Sequence, residues 1–591
     1  MRLALGVLCA LVPLVARAGE AGAAKGKAAA DKKVKVVELR LQGDIGEQRS
    51  MESPFGQRTP LLRDFTASIR KAAKDADVAA ILLRLNHPAL GLAKLQELMD
   101  AIHELQASGK KVYCYLNACG NGDYLLAATA DRVAAPPGGM VMLTGLAAQV
   151  TFFKGLLDWA GVEADLLHFG KHKSAGEPYT RKAMSEESRT VLNELLDDLY
   201  EQFVATIAKG RKLTPKKVRD AIDRGPYTTK EARTFGLIDD VAYEDQFLDA
   251  MGTDLGGEVE LVKDYHNLGR KGPDLSQMNL FTFFTALKPK PDIPDTKRPK
   301  IVVIFASGPI MPGRSAFGPS NVVTAREIGE AFEKARKNDS VKAVVLRVDS
   351  PGGSALDSDL IWREVGRTRQ AGKPVVASMS DVAGSGGYYI AMAADAIVAQ
   401  PATITGSIGV IGGKLVLRGL YDKVGITCET FTRGQNAALF SDYAPFSEHE
   451  RERVHALMGD IYNDFVTKAA AGRKMPIEKM RALATGRVWT ARKAKELGLV
   501  DSLGGLKEAF ELARKKVGLE GKDVQPVILP REKSFLEAIF GPAGPAAHAA
   551  PSVKGLPALA PMLRLLPYVQ LVETLSREHV LAVMPYFVDV R

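Results

Sequence analysis

Residues 383–395 read AGSGGYYIAMAAD, and residues 119–131 read CGNGDYLLAATAD. The two stretches align without a gap, Ser385 facing Asn121. In the later one Gly384, Gly386 and Gly387 surround Ser385, and an apolar run follows at once. Glycine accepts backbone angles that other residues resist, so the pattern reads as a tight strand-to-helix turn. The apolar run then forms the first turns of a buried helix. A serine at such a turn presents its Oγ, with the next backbone N–H groups free and the helix dipole behind them. Those groups suit an oxyanion. A glycine-rich turn holding a serine is weak on its own, and the rest of the chain gives it weight.

Working outward, the correspondence continues in register. VAAILLRLNHPAL from Val78 matches VKAVVLRVDSPGG from Val341. AKGRKLTPKKVRDAI matches AAGRKMPIEKMRALA, and KEARTFGLIDDV matches RKAKELGLVDSL. The chain is therefore one unit written twice, at residues 34–262 and 298–530. Each copy alternates short apolar runs (ILLRL, VVLRV, then KKVYCYL, KPVVASMS) with helical stretches that close on glycine (AKLQELMDAIHELQASG, ALDSDLIWREVGRTRQAG). Runs of this kind are buried parallel strands, and the alternation predicts a duplicated α/β fold with right-handed crossovers. Each copy then carries a long amphipathic helix. The first opens on Ser185 and Ser188, the second on a Ser447/Glu450 capping box.

Composition bounds the class. The 591 residues are 46% hydrophobic and 25% charged, which is ordinary for a globular chain of several domains. The net charge of +10 is spread along the chain, which suits an anionic membrane face and gives no nucleic-acid footprint. The four cysteines, Cys9, Cys114, Cys119 and Cys428, have neither zinc-site nor disulfide spacing. Residues 1–18 read as a secretory leader: Arg2, an apolar run to Ala16, and an A-x-A site at 16–18. The apolar run is about 21 Å long as a helix, short of a roughly 30 Å hydrocarbon core, so cleavage is expected over retention as an anchor. Residues 19–33 read as a flexible tether, 263–297 as a Pro/Lys-rich linker containing NLFTFFTAL, and 531–591 as an extension with SFLEAIFGP and further apolar runs.

The two copies differ where chemistry would sit. Copy two has Ser385, the loop Asp349-Ser350-Pro351-Gly352-Gly353 and Ser407. Copy one has Asn121, Asn86-His87-Pro88-Ala89-Leu90 and Leu146 at those places. Conversely Lys171, His172 and Lys173 of copy one face Gln435, Asn436 and Ala437. Duplicated domains drift, and surface lysines are common. Reciprocal loss is nonetheless expected if one site takes a serine from one copy and a base from the other. Any lysine base must be buried to lose its proton near neutral pH, because its ordinary pKa is about 10.4.

GSGGYYIA, the DSPGG loop, TGSIGV and KSAGEP, in this order-bearing set, resemble the signal peptide peptidase A family in its long, two-repeat form, over residues 34–530. The resemblance implies tandem Clp-protease/crotonase-like ββα spiral domains and a Ser/Lys serine endopeptidase acting on remnant signal peptides and other extended apolar segments. It assigns Ser385 as nucleophile, Lys173 as general base and Ser407 as the hydroxyl that orients the lysine. Gly386, with Gly352 or Gly353, would form the oxyanion hole. His172 stands where the bacterial two-repeat enzymes commonly have an aromatic residue, and it is the rival base. The resemblance also implies a homo-oligomer, a tetramer of this chain, associated with the membrane surface on the periplasmic side of a bacterial envelope. No metal, cofactor or nucleic acid is expected: GSIGVIGGKL lacks phosphate-loop spacing, and no HExxH or CxxC occurs. A crotonase-like acyl-CoA enzyme and a non-catalytic envelope scaffold are the alternatives.

Overall fold

A computed structural model describes residues 33–48, 60–267, 291–313, 322–531, 578 and 580–584. The expected leader, most of the tether, the apolar segment 279–287 and the segment from 534 lie outside the described residues.

The first copy folds around a parallel sheet ordered Glu258–Val262, Lys33–Asp44, Val78–Ala89, Lys111–Leu116, Arg132–Ala135, Asp240–Val241. The second repeats that order with Gln525–Leu529, Lys300–Ser307, Val341–Ser350, Val375–Gly384, Ala396–Ala399 and Ser502–Leu503. The central strands are Val-, Ile- and Leu-rich because both faces are covered: Val344, Val345 and Leu346 are all buried in succession. Helices Leu92–Ala107 and Ala355–Gln370 form where the sequence predicts them. Gly109 and Gly372 follow them with φ of 85° and 79°, the left-handed conformation that closes a helix.

Equivalent bonds recur in both copies. Tyr124 donates to the Leu237 carbonyl at 2.7 Å and Tyr388 to the Leu499 carbonyl at 3.0 Å. Arg211 pairs with Asp239 and Arg473 with Asp501. The long helices Glu186–Arg211 and Glu448–Gly472 are capped by Ser185 and Ser447, the latter in a complete capping box with Glu450.

A separate antiparallel sheet ties the copies together. Strand Glu163–Phe169 of copy one pairs with Val410–Val416 of copy two, from Glu163↔Val416 to Phe169↔Val410. Helix Leu92–Ala107 of copy one meets the strand ends of copy two. Its N-cap residue, Gly91, has no side chain to accept from the first turn; Asp381 accepts instead, from the Lys94 backbone N–H at 3.0 Å. A Cβ on Gly91 would sit 2.3 Å from the Asp381 carboxyl carbon. Gly91→Ala is therefore expected to cost about 1–2 kcal/mol, the usual worth of a helix cap, read as a lower urea midpoint.

Candidate active site

Strand Val375–Gly384 leads into Ser385, and helix Gly386–Ala391 leaves it. Ser385 holds φ 54° and ψ −113°, a conformation that crowds any residue with a Cβ and costs on the order of 1–3 kcal/mol. The neighbours enforce it. Ser385 N–H donates to the Gly406 carbonyl at 2.8 Å, locking the turn to strand Ile404–Gly406. A Cβ on Gly387 would lie 2.5 Å from the Ser350 carbonyl oxygen, so only glycine fits as the helix turns past the loop.

The inter-repeat ladder decides what faces Ser385. Phe169 is paired at Val410, so the chain after Phe169 runs beside the chain before Val410, where Ser407 lies. His172 N–H donates to the Thr485 carbonyl at 2.8 Å and pins the loop. A Cβ on Gly486 would lie 2.6 Å from the Lys173 backbone nitrogen, so this glycine admits the loop to contact. Lys173 Nζ then lies 2.7 Å from Ser385 Oγ, 2.9 Å from Ser407 Oγ and 2.8 Å from the Ser407 carbonyl oxygen.

Lys173 is 1% exposed, and Ser385 and Ser407 are 0% exposed. None of the three partners carries charge. Burial alone pushes the ammonium well below the usual lysine value. A neutral amine fits these surroundings: its two N–H groups would serve the Ser407 carbonyl and hydroxyl, leaving the lone pair for the Ser385 O–H. Such an arrangement can take a proton from the serine. Lys171 is exposed, and the His172 ring is spent on Thr485, with Nδ1 2.9 Å from Oγ1. Neither joins the cluster. His455 packs against Phe169, ring centroids 4.5 Å apart and the planes tilted by 39°, as a residue of a helix face.

The loop Ser350–Gly353 closes the other side. Gly352 and Gly353 have φ of 95° and 151°. Gly352 N–H donates to Ser350 Oγ at 3.2 Å, and a Cβ on Gly352 would lie 2.7 Å from the Gly386 nitrogen. Gly352 and Gly386, two of the predicted oxyanion residues, thus lie against each other.

Sequence reasoning missed the supports of this loop. Lys94 of copy one reaches Asp349 at 2.7 Å and Asp381 at 3.1 Å, and Val382 N–H donates to Asp349 Oδ1 at 3.2 Å. After burial, which opposes it, these carboxylates hold the Lys94 ammonium above its ordinary pKa. A signal was present: the two aspartates replace Asn86 and Asn117 of copy one. Among the described residues, no group of three His, Cys, Asp or Glu side chains could hold a metal. No helix there is long and apolar enough to cross a membrane.

The model of peptidase family S49 matches the chain twice, at residues 104–256 and 367–520. The chain is 34% identical over 516 residues to "Serine protease SPPA, chloroplastic" of Arabidopsis thaliana, covering 87% of this chain and 74% of that protein. It is 31% identical over 488 residues to "Protease 4" of Salmonella typhi, covering 80% and 75%. A protein of Enterococcus faecium named "Putative signal peptide peptidase SppA" is 32% identical over 222 residues, covering 37% of this chain and 63% of that one.

Proposed function

Since this chain belongs to peptidase family S49 and is a serine protease acting on peptides, we propose that it cuts remnant signal peptides and other extended apolar segments with a dyad of Ser385 and Lys173. The observation that carries the dyad is the 2.7 Å contact between Lys173 Nζ and Ser385 Oγ, made where burial pushes the ammonium pKa well below its ordinary value.

Ser385 Oγ attacks the peptide carbonyl carbon while its proton passes to Lys173 Nζ. Ser407 holds the amine through its hydroxyl and carbonyl. The carbonyl oxygen, now negative, accepts from the backbone N–H groups of Gly386 and of Gly352 or Gly353. Gly353 is the better of the two, because Gly352 N–H already serves Ser350. Lys173 returns the proton to the leaving amine, and the C–N bond breaks. Lys173 then draws a proton from water, whose oxygen attacks the acyl carbon; the ester bond to Ser385 Oγ breaks, and Lys173 returns the proton to that oxygen.

Signal peptides are the favoured class because they are extended and apolar, and the strands on either side of Ser407 carry apolar side chains: Ile404, packed with Val488, and Ile411, packed with Ala175. The name of the Enterococcus relative points the same way. Residues 1–18 read as a leader, and the net charge of +10 suits an anionic membrane, so the site of action is the periplasmic face of a bacterial inner membrane. Exposed Leu156, Trp159 and Val424, at one end of the inter-repeat sheet, offer an apolar contact for neighbouring subunits of a tetramer.

The test is hydrolysis of a fluorogenic leader peptide by the full chain and by Ser385→Ala. Cleavage by the first and none by the second is expected. Equal cleavage by both would end the reading.

A further inference from the structure

Strand Val580–Val583 comes from the far C-terminal part of the chain, yet it lies on the candidate site. It pairs antiparallel with the loop strand on one edge, Gly352↔Val583, Gly353↔Ala582 and Ser354↔Leu581. On its other edge it pairs antiparallel with Val410–Val416, Ile411↔Leu581 and Gly412↔Val580. Without this segment, both neighbouring strands would present unpaired edges across a slot one strand wide. Such a slot binds an extended peptide by main-chain hydrogen bonds on two sides.

The register is that of a substrate. Met584 N–H donates to the Pro351 carbonyl at 2.8 Å. Hydrogen-bonded pairs recur every second residue in an antiparallel ladder, so Gly353 and Ala582 form the next such pair, with Gly353 N–H toward the Ala582 carbonyl. A Cβ on Gly352 would lie 2.1 Å from that carbonyl oxygen, and one on Gly386 3.1 Å from it. The Ala582 oxygen therefore occupies the convergence of the oxyanion glycines, beside Ser385.

The flanking side chains fill apolar pockets. Val580 packs with Val410 and Met458, Leu581 and Val583 with Ile411 and Ala175, Met584 with Ile404 and Val488. Glu578 Oε2 accepts from Ser354 Oγ at 2.8 Å and anchors the segment upstream. Ala582 is fully buried, leaving no room there for a large side chain.

We propose that residues 580–584 are a tethered ligand of the substrate groove: the chain's own tail binds as a peptide would, with the Ala582–Val583 bond presented to Ser385, and competes with external substrate. This rests on Ser385 and the Gly352–Gly353 loop being the catalytic site. It also implies that a residue preceding a cut bond must be small.

Two full-length variants evict the segment by different means. Ala582→Arg forces a long cation into the closed space around the fully buried Ala582, and Leu581→Asp places a carboxylate against Ile411 and Ala175. Each is expected to lower KM for a fluorogenic leader peptide by about tenfold or more, with kcat little changed. A synthetic peptide of residues 576–587 added to Leu581→Asp is expected to restore inhibition competitively; the same peptide with Trp at position 582 is not. KM at the wild-type value in both variants, or no competition by the peptide, overturns the proposal. Ser385→Ala keeps the two readings apart. If it still hydrolyses the peptide, the dyad fails, whereas an unchanged KM alongside an inactive Ser385→Ala sinks only the tethered ligand.

Discussion

Lys173→Met is expected to lower kcat/KM for peptide hydrolysis by about 10³-fold or more, the scale of losing a positioned general base that works as a unit with its nucleophile. The methionine fills nearly the same buried volume, so the protein stays folded and Ser385 keeps its turn. What disappears is the acceptor 2.7 Å from Ser385 Oγ. The pH dependence identifies the group. Burial holds the Lys173 ammonium well below its ordinary 10.5. Activity of the wild type should therefore rise with pH along a limb well below 10.5, as the amine loses its proton, and Lys173→Met should lack that limb. Stability moves in the same direction. Between the lowered folded value and 10.5, the unfolded chain binds more protons at this residue than the folded one, so wild-type stability rises with pH through that window. Below the window the folded protein must carry a buried, unpaired ammonium. Lys173→Met removes that burden and should melt higher than wild type at neutral pH, without that slope. Full activity in Lys173→Met would sink the dyad, and a lower melting temperature would sink the account of burial.

Arg347→Met is expected to be the most damaging single change to stability, at about 3–5 kcal/mol, the cost of removing one partner from a buried ionic cluster. Arg347 is fully buried in strand Val341–Ser350 of copy two. Its guanidinium donates to Glu47 at 2.6 Å and Glu97 at 2.8 Å, both carboxylates of copy one, and to Ser378 at 2.9 Å. Burial pushes the Glu47 carboxyl up, but the charges of Arg347 and Lys94 and the hydrogen bonds from Arg347 and Ser380 together outweigh it and hold the group below the usual carboxylate range. Burial wins at Glu97, which is raised despite the same arginine. Removing the guanidinium leaves two buried carboxylates facing each other with no cation between them. A large drop in melting temperature, seen by calorimetry, is expected, and activity should fall with it because the same strand leads into Asp349 and the Gly352–Gly353 loop. Adding Glu47→Gln and Glu97→Gln to Arg347→Met should recover much of the loss by removing the stranded charges. An Arg347→Met protein that melts like wild type would show that the cluster does not hold the copies together.

Much of this was legible in one dimension. A duplication is visible as soon as residues 119–131 are laid against 383–395, because like folds need like strands, turns and helices. The strand-to-helix turn at Ser385 shows in its glycines, although not for the reason the sequence suggests: the left-handed φ falls on Ser385 itself, and Gly386 and Gly387 are needed because a Cβ on either would meet Ser358 or the Ser350 carbonyl within 2.6 Å. The reciprocal loss of Ser385 and Lys173 between copies is visible without coordinates. Asp349 and Asp381 were also visible as departures from Asn86 and Asn117, but their meaning was not, since the partner is Lys94 on a helix of the other copy.

What the sequence by itself determined is local: periodicity, turns and caps are written within a few residues and repeat wherever the pattern repeats. What only the tertiary structure decided is register across the two copies. The pairing of Phe169 with Val410 carries Lys173, rather than Lys171 or His172, to Ser385, and it brings the Ser407 carbonyl into the same contact. The Glu47–Arg347–Glu97 cluster and the seating of Val580–Val583 beside Gly353 are likewise invisible in the chain. The reason is physical: a backbone hydrogen bond or a buried charge pair depends on distance alone, and residues hundreds of positions apart carry no mark of the partner that folding will bring to them.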